Sequence, residues 1–165
     1  EYEYDGFGNV EKTTYVGKSG PNPATDIVVE TAYGLTCSTL RVLCHRPTST
    51  TDPRGNVTTY TWDTTHGSLL SVQGPVPASG ESQPETRYSY SQLYAWYKNS
   101  GGTIVQAPTA VYLPTSVSAC STGTSCSGAA NEVKSTITYG PTFGSVSTAN
   151  NLLPTSMSAR LRPFS

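Results

Sequence analysis

Two histidines, four cysteines and scattered serines and carboxylates are the residues of this 165-residue chain that could do chemistry. Asp63 and His66 stand three apart, and a nearby serine would complete the acid, base and nucleophile of acyl transfer. Serines are frequent, but no Gly-x-Ser-x-Gly nucleophile elbow occurs, and chance proximity accounts for the grouping in so serine-rich a chain. His66 instead lies in Asp63-Thr64-Thr65-His66-Gly67, whose composition is that of a turn. His45 sits between Cys44 and Arg46-Pro47, in a connection. Gly17-Lys18-Ser19-Gly20 ends like a phosphate loop but lacks the upstream glycine and the following helix, and so reads as a turn. Asn56-Val57-Thr58 is a glycosylation sequon only in a eukaryotic source. No catalytic residue is assigned, and no cofactor.

The cysteines form two close pairs, Cys37 and Cys44 with six residues between them, and Cys120 and Cys126 with five. An even count, local pairing and low charge point to two small-loop disulfides, Cys37 with Cys44 and Cys120 with Cys126, in an oxidising compartment. Zinc is the competing reading, with His45 as an extra ligand. Structural zinc sites prefer cysteines about two to four residues apart, and these gaps are longer. Free thiols are the third reading, for a cytosolic chain. No metal is assigned.

The elements that must position these residues are strands. Charged residues make up 13% of the chain, the net charge is −1, and eleven tyrosines accompany a single methionine. Thr and Tyr build strands, whereas the helix formers are sparse and no segment keeps a 3.6-residue apolar period. Fifteen glycines and twelve prolines punctuate the chain often enough for many short strands. Ten Lys and Arg are scattered among eleven Asp and Glu, which removes nucleic acid as a partner. Arg160-Leu161-Arg162 reads as a solvated end. No apolar run approaches the ~20 residues of a membrane span, and no signal peptide is visible. The chain starts at Glu1 inside a repeated phrase and ends at Arg162-Pro163-Phe164-Ser165, so a piece of a longer polypeptide is expected.

That phrase is an aromatic pair two residues apart, then Asp or a small residue, then glycine. It occurs as Tyr2-Glu3-Tyr4-Asp5 with Gly8, and as Tyr60-Thr61-Trp62-Asp63 with Gly67. Degraded copies are Tyr88-Ser89-Tyr90-Ser91 and Ile137-Thr138-Tyr139-Gly140. Residues i and i+2 of a strand share a face, so each phrase sets two rings side by side before a turn. Strands are predicted over Val10–Tyr15, Asp26–Tyr33, Val57–Trp62 and Ser68–Gln73, with turns at Gly6–Asn9, at Asp52-Pro53-Arg54-Gly55-Asn56 and at Asp63–Gly67. Tyr60, Trp62, Tyr88 and Tyr90 are expected to stack across strands; the sharper reading puts some of them in a carbohydrate groove. Residues 112–119 are echoed by 152–159 around Leu-Pro-Thr-Ser, and three blocks emerge, about 1–44, 45–84 and 85–165.

The segments Tyr4-Asp5-Gly6-Phe7-Gly8-Asn9-Val10 and Asp52 to Asp63 resemble the YD repeats of the RHS/YD-repeat family. The run His66–Val72 with Gly74-Pro75, and the stretch Cys120 to Tyr139, are similar to the same family. The resemblance implies an all-β fold of antiparallel strand-turn-strand repeats, forming part of a large curved or spiralling sheet, a shell or fibre. It implies a bacterial protein, secreted or at the cell surface, whose shell often encloses a C-terminal toxin segment; neither that toxin nor the cleavage motif before it lies in these residues. The motif residues are then structural: Tyr2, Tyr4, Asp5, Gly8, Asp52, Gly55, Tyr60, Trp62, Asp63, Gly67, Tyr88, Tyr90 and Tyr139. Three functions are expected in order: a structural shell segment, a glycan-binding adhesin module, and a self-associating fibre. An enzyme ranks last. Partners are neighbouring repeats or other copies of the chain, with an enclosed toxin segment or surface glycans beyond them.

Overall fold

The computed structural model describes residues 1–18, 20–22, 25–34, 37–77, 82–120, 132–140 and 152–161. The protein is all-β and antiparallel. Ten strands form one sheet in the order β1-β2-β3-β4-β5-β6-β7-β10-β11-β12, and β8 pairs with β9 in a separate two-stranded sheet. Each strand of the large sheet therefore lies beside its nearest neighbour in sequence, the meander that hairpin turns produce. The contacts divide the chain into two units, the described residues of Glu1–Glu85 and those from Thr86 onward.

The first unit holds β1 (Tyr2–Tyr4), β2 (Val10–Tyr15), β3 (Ile27–Tyr33), a single 3-10 turn (Arg41–Leu43), β4 (Pro47–Thr51), β5 (Val57–Trp62) and β6 (Leu69–Gln73). The predicted strands at Val10–Tyr15 and Val57–Trp62 coincide with β2 and β5. Those at Asp26 and Ser68 each begin one residue later, at Ile27 and Leu69. The second unit is formed by β7 (Glu85–Leu93) from its second residue onward, β8 (Trp96–Lys98), β9 (Ile104–Gln106), β10 (Val111–Cys120), β11 (Glu132–Tyr139) and β12 (Pro154–Leu161). Proline opens β4 and β12 and lies inside β10, as Pro114. Proline cannot donate to a ladder, so these strands carry a built-in gap in their pairing.

Two hairpins turn on the same five residues, Asp-x-x-Gly-Asn. At Asp5–Asn9, Oδ1 of Asp5 accepts the N–H groups of Phe7 and Asn9, both at 2.8 Å. At Asp52–Asn56, Oδ1 of Asp52 accepts those of Arg54 and Asn56, at 2.8 and 2.9 Å. Gly8 (φ 84°) and Gly55 (φ 80°) take the left-handed step that lets a type I turn end in a β-bulge. A third loop, Asn99 to Thr103, repeats the bonds with other residues. Asn99 accepts the Thr103 N–H at 3.0 Å, and Gly102 has φ 84°. Composition alone did not reveal that copy, because asparagine stands where aspartate does elsewhere.

These carboxyls are held below the ordinary aspartate range. At Asp52 the Asn56 side chain is the main cause, followed by the Asn56 N–H, with the Arg54 N–H and guanidinium adding to them. At Asp5 partial desolvation pushes upward, and the Asn9 side chain with the N–H groups of Asn9 and Phe7 outweighs it. A carboxyl with a lowered folded-state pKa stabilises the fold above its ordinary value of about 3.9, and that contribution disappears as pH falls through the folded-state value. The urea midpoint is therefore expected to fall as the solution is acidified from about pH 4 down through the folded-state value, with no further loss from these groups below it. Asp52→Asn keeps the acceptor, as Asn99 does, and is expected to flatten part of that acid decline, read as urea midpoint against pH.

The aromatic that ends a strand sits at a register irregularity four times: Tyr4 on β1, Tyr33 on β3, Trp62 on β5 and Tyr139 on β11. Such a bulge raises the local twist and re-aims the ring. Along β5 exposure alternates, with Thr58, Tyr60 and Trp62 half-buried and Val57, Thr59 and Thr61 exposed, the two-faced pattern the sequence implies. Little is covered beyond that. Among the described residues the only buried hydrophobic side chains are Cys37 and Cys120. Tyr2 stays 62% exposed, Ile27 52% and Met157 73%.

Candidate functional site

In a meander alternate turns share an edge, so the β1–β2 turn, the β3–β4 connection and the β5–β6 turn lie on one edge of the first unit. Cys37 and Cys44 are disulfide-bonded there, as the spacing predicts. Both sulfurs are spent on each other, which removes the thiolates the zinc reading requires. Cys120 is disulfide-bonded too; its expected partner, Cys126, lies outside the described residues.

Asn9 ties this edge together, and it is one of two buried polar residues among those described. Its Nδ2 donates to Oδ2 of Asp5 at 2.7 Å and to the Cys44 carbonyl at 3.1 Å. With both amide hydrogens engaged, Oδ1 must accept, so Nδ1 of His45 is the donor in the bond those two atoms make. His45 is thus a brace between the disulfide loop and the first turn. On the other flank the 3-10 turn rests on Gly67, where a Cβ would stand 2.8 Å from the Val42 carbonyl oxygen. Gly67 has φ 68°, so Gly67→Ala meets both a strained backbone and a clash; a loss of about 2 kcal/mol is expected. Gly55→Ala meets open space and should cost only the backbone strain, about 1 kcal/mol. Urea unfolding of the two variants checks the ranking.

Asp63 and His66 are brought together, but by the turn. Oδ1 of Asp63 accepts the N–H groups of Thr65 (2.7 Å) and His66 (3.0 Å) and lies 3.4 Å from His66 Nε2. The backbone N–H groups of His66 and then Thr65 are the main causes that hold this carboxyl low. The main-chain N–H of Ser68 lies 3.4 Å from His66 Nδ1. The arrangement is that of a turn. Gly17 and Gly20 likewise close a turn through a 2.9 Å backbone bond, while Ser19 lies outside the described residues.

The aromatic pairs divide. Tyr60 and Trp62 stack on each other along β5, ring centres 6.4 Å apart and 28° between planes. For these two rings the contact runs along one strand, where stacking across strands was expected. The cross-strand bonds are polar ones. Tyr60 OH meets Thr50 Oγ1 at 3.1 Å, Trp62 Nε1 donates to the Pro47 carbonyl at 2.7 Å, and the Arg46 guanidinium lies 5.0 Å from the indole centre. Tyr139 repeats the device in the second unit, its OH donating to the Pro114 carbonyl at 2.8 Å. Beside it a cavity of about 360 Å³ is lined by Leu93, Ile137 and Tyr139 with Thr115, Thr136 and Thr138. Tyr88 and Tyr90 are half-buried on β7.

Tyr2 and Tyr4 differ. Their rings are 6.5 Å apart and both stay exposed. Tyr4 borders a groove of about 350 Å³ with Phe7, Tyr33, Asp5 and Glu11. The sequence reading named Tyr4 and Asp5 but missed the other three as a set. Tyr33 carried the signal, as a strand-ending aromatic before a glycine. No helix of the described residues is long and apolar enough to cross a membrane. Compared with known proteins, the chain matches no family model and no curated protein.

Proposed function

We propose that the chain is a structural segment of a secreted or cell-surface protein of the RHS/YD type, one stretch of a β-shell that encloses or presents another segment. The observation that carries this is the uncovered sheet. Regular strands, bulges and repeated turns are built with care, while only two hydrophobic side chains among the described residues are buried, both of them cysteines. A sheet so ordered and so little covered is suited to pairing with further strands and to a segment lying against its face. The disulfides agree with an oxidising location. Electron microscopy of the chain together with the residues encoded on either side of it tests this. The strands should continue into further strands around an enclosed volume; a self-contained domain on a tether would contradict it.

The groove at Tyr4 favours a second reading, glycan binding. Exposed rings can stack on the apolar faces of sugars, and Glu11 can accept hydroxyl hydrogen bonds. A glycan array with the native chain and a Tyr4→Ala/Phe7→Ala variant decides it: binding lost in the variant supports a lectin-like role, and no binding removes it.

A further inference from the structure

Pro-Thr-Ser opens or enters three strands, at Pro47 of β4, Pro114 of β10 and Pro154 of β12. Two of them share a lock. The strand that follows in sequence pairs antiparallel beside the proline strand and ends in an aromatic whose polar hydrogen reaches the proline carbonyl: Trp62 to Pro47, and Tyr139 to Pro114. On its other side that aromatic strand has its bulge, at Trp62 opposite Leu69 and at Tyr139 opposite Pro154.

The two ends of the sheet are the halves of this device. β12 carries Pro154-Thr155-Ser156, pairs with β11 on one side and ends the sheet on the other. β1 carries Tyr2-Glu3-Tyr4-Asp5, the phrase of Tyr60-Thr61-Trp62-Asp63, and pairs with β2 through the same bulge, at Tyr4 opposite Val10. Its other side ends the sheet. Tyr4 is 60% exposed on that strand.

We propose that β12 is a docking edge for strand β1 of a second copy of this chain, locked by Tyr4 OH donating to the Pro154 carbonyl. The inference rests on reading the chain as an array segment, but needs no shell or cargo. Continuing the register of Ser49 with Thr59 sets Trp62 opposite Arg46, the residue before the proline. The same offset sets Tyr4 opposite Leu153 and Tyr2 opposite Thr155. Such a contact is head-to-tail, joining β1 of one copy to β12 of the next.

The test uses the full chain with single added cysteines. A Tyr2→Cys preparation is mixed with Thr155→Cys under mild oxidation, and in parallel with Met157→Cys, which is on the same face two residues further along. Disulfide-linked heterodimers are expected with Thr155→Cys and at least tenfold fewer with Met157→Cys. Tyr4→Phe, which keeps the ring and loses the donor, should weaken self-association by about fivefold. Equal cross-linking at both positions, no cross-linking at either, or a Tyr4→Phe chain that associates as well as the native one would each overturn the proposal. Cross-linking in register alongside a tethered, self-contained domain in the longer polypeptide would instead uphold the edge contact and overturn the shell.

Discussion

Trp62→Ala is expected to lower stability more than any other single side-chain truncation in the first unit, by about 3 kcal/mol. Three interactions end on that indole. Its face is stacked with Tyr60, its Nε1–H donates to the Pro47 carbonyl, and Arg46 lies over the ring. The residue is half-buried, so the figure is at the low end for removing a large aromatic. Trp62→Phe separates the contributions: it retains a ring for Tyr60 and loses the N–H donor, and should cost about 1 to 1.5 kcal/mol. Urea denaturation of the three proteins at neutral pH checks the order. If Trp62→Phe were as damaging as Trp62→Ala, the hydrogen bond would outweigh the stack; if neither changed the midpoint, the β4–β5 lock would not hold the unit together.

Loss of the Cys37–Cys44 bond is the second large effect. The bond joins residues seven apart, and closing so short a loop removes unfolded-state entropy equivalent to about 2.5 kcal/mol. The consequences reach beyond the loop, since the Cys44 carbonyl accepts from Asn9 and Val42 rests on Gly67. Cys37→Ser/Cys44→Ser should therefore lower the melting temperature and loosen both neighbouring turns. Hydrogen exchange is expected to quicken at Asn9 and Gly67, while the Asp52–Asn56 turn keeps its native rate. Equal quickening at all three turns would mean that the disulfide stabilises the fold only globally.

Much of this was legible in the sequence, for reasons that are local. Val57–Trp62 alternates β-branched and aromatic residues between two turn signals, and period and punctuation both gave β5 its observed ends. Asp-x-x-Gly-Asn specifies its own turn, because the aspartate caps the N–H groups and the glycine takes the positive φ. Cys37 and Cys44 paired as their spacing implied. What was missed depends on context. Arg46-Pro47 reads as part of a connection, yet Pro47 opens β4, where a missing N–H is tolerated and its carbonyl becomes the acceptor for Trp62. Two Leu-Pro-Thr-Ser copies were visible, whereas the third, Arg46-Pro47-Thr48-Ser49, was hidden by its different first residue. The groove at Tyr4, Phe7 and Tyr33 joins three segments, and single-strand patterns carry no trace of such a juxtaposition.

Sedimentation velocity of residues 1–165 over a wide concentration series tests the central claim most directly. Scarce charge and exposed strand edges imply partners met through backbone bonds and aromatic packing, so salt should matter little. The chain is predicted to self-associate as concentration rises, into species larger than the monomer. A stable monomer at every concentration would contradict the account, and would favour an independent glycan-binding domain.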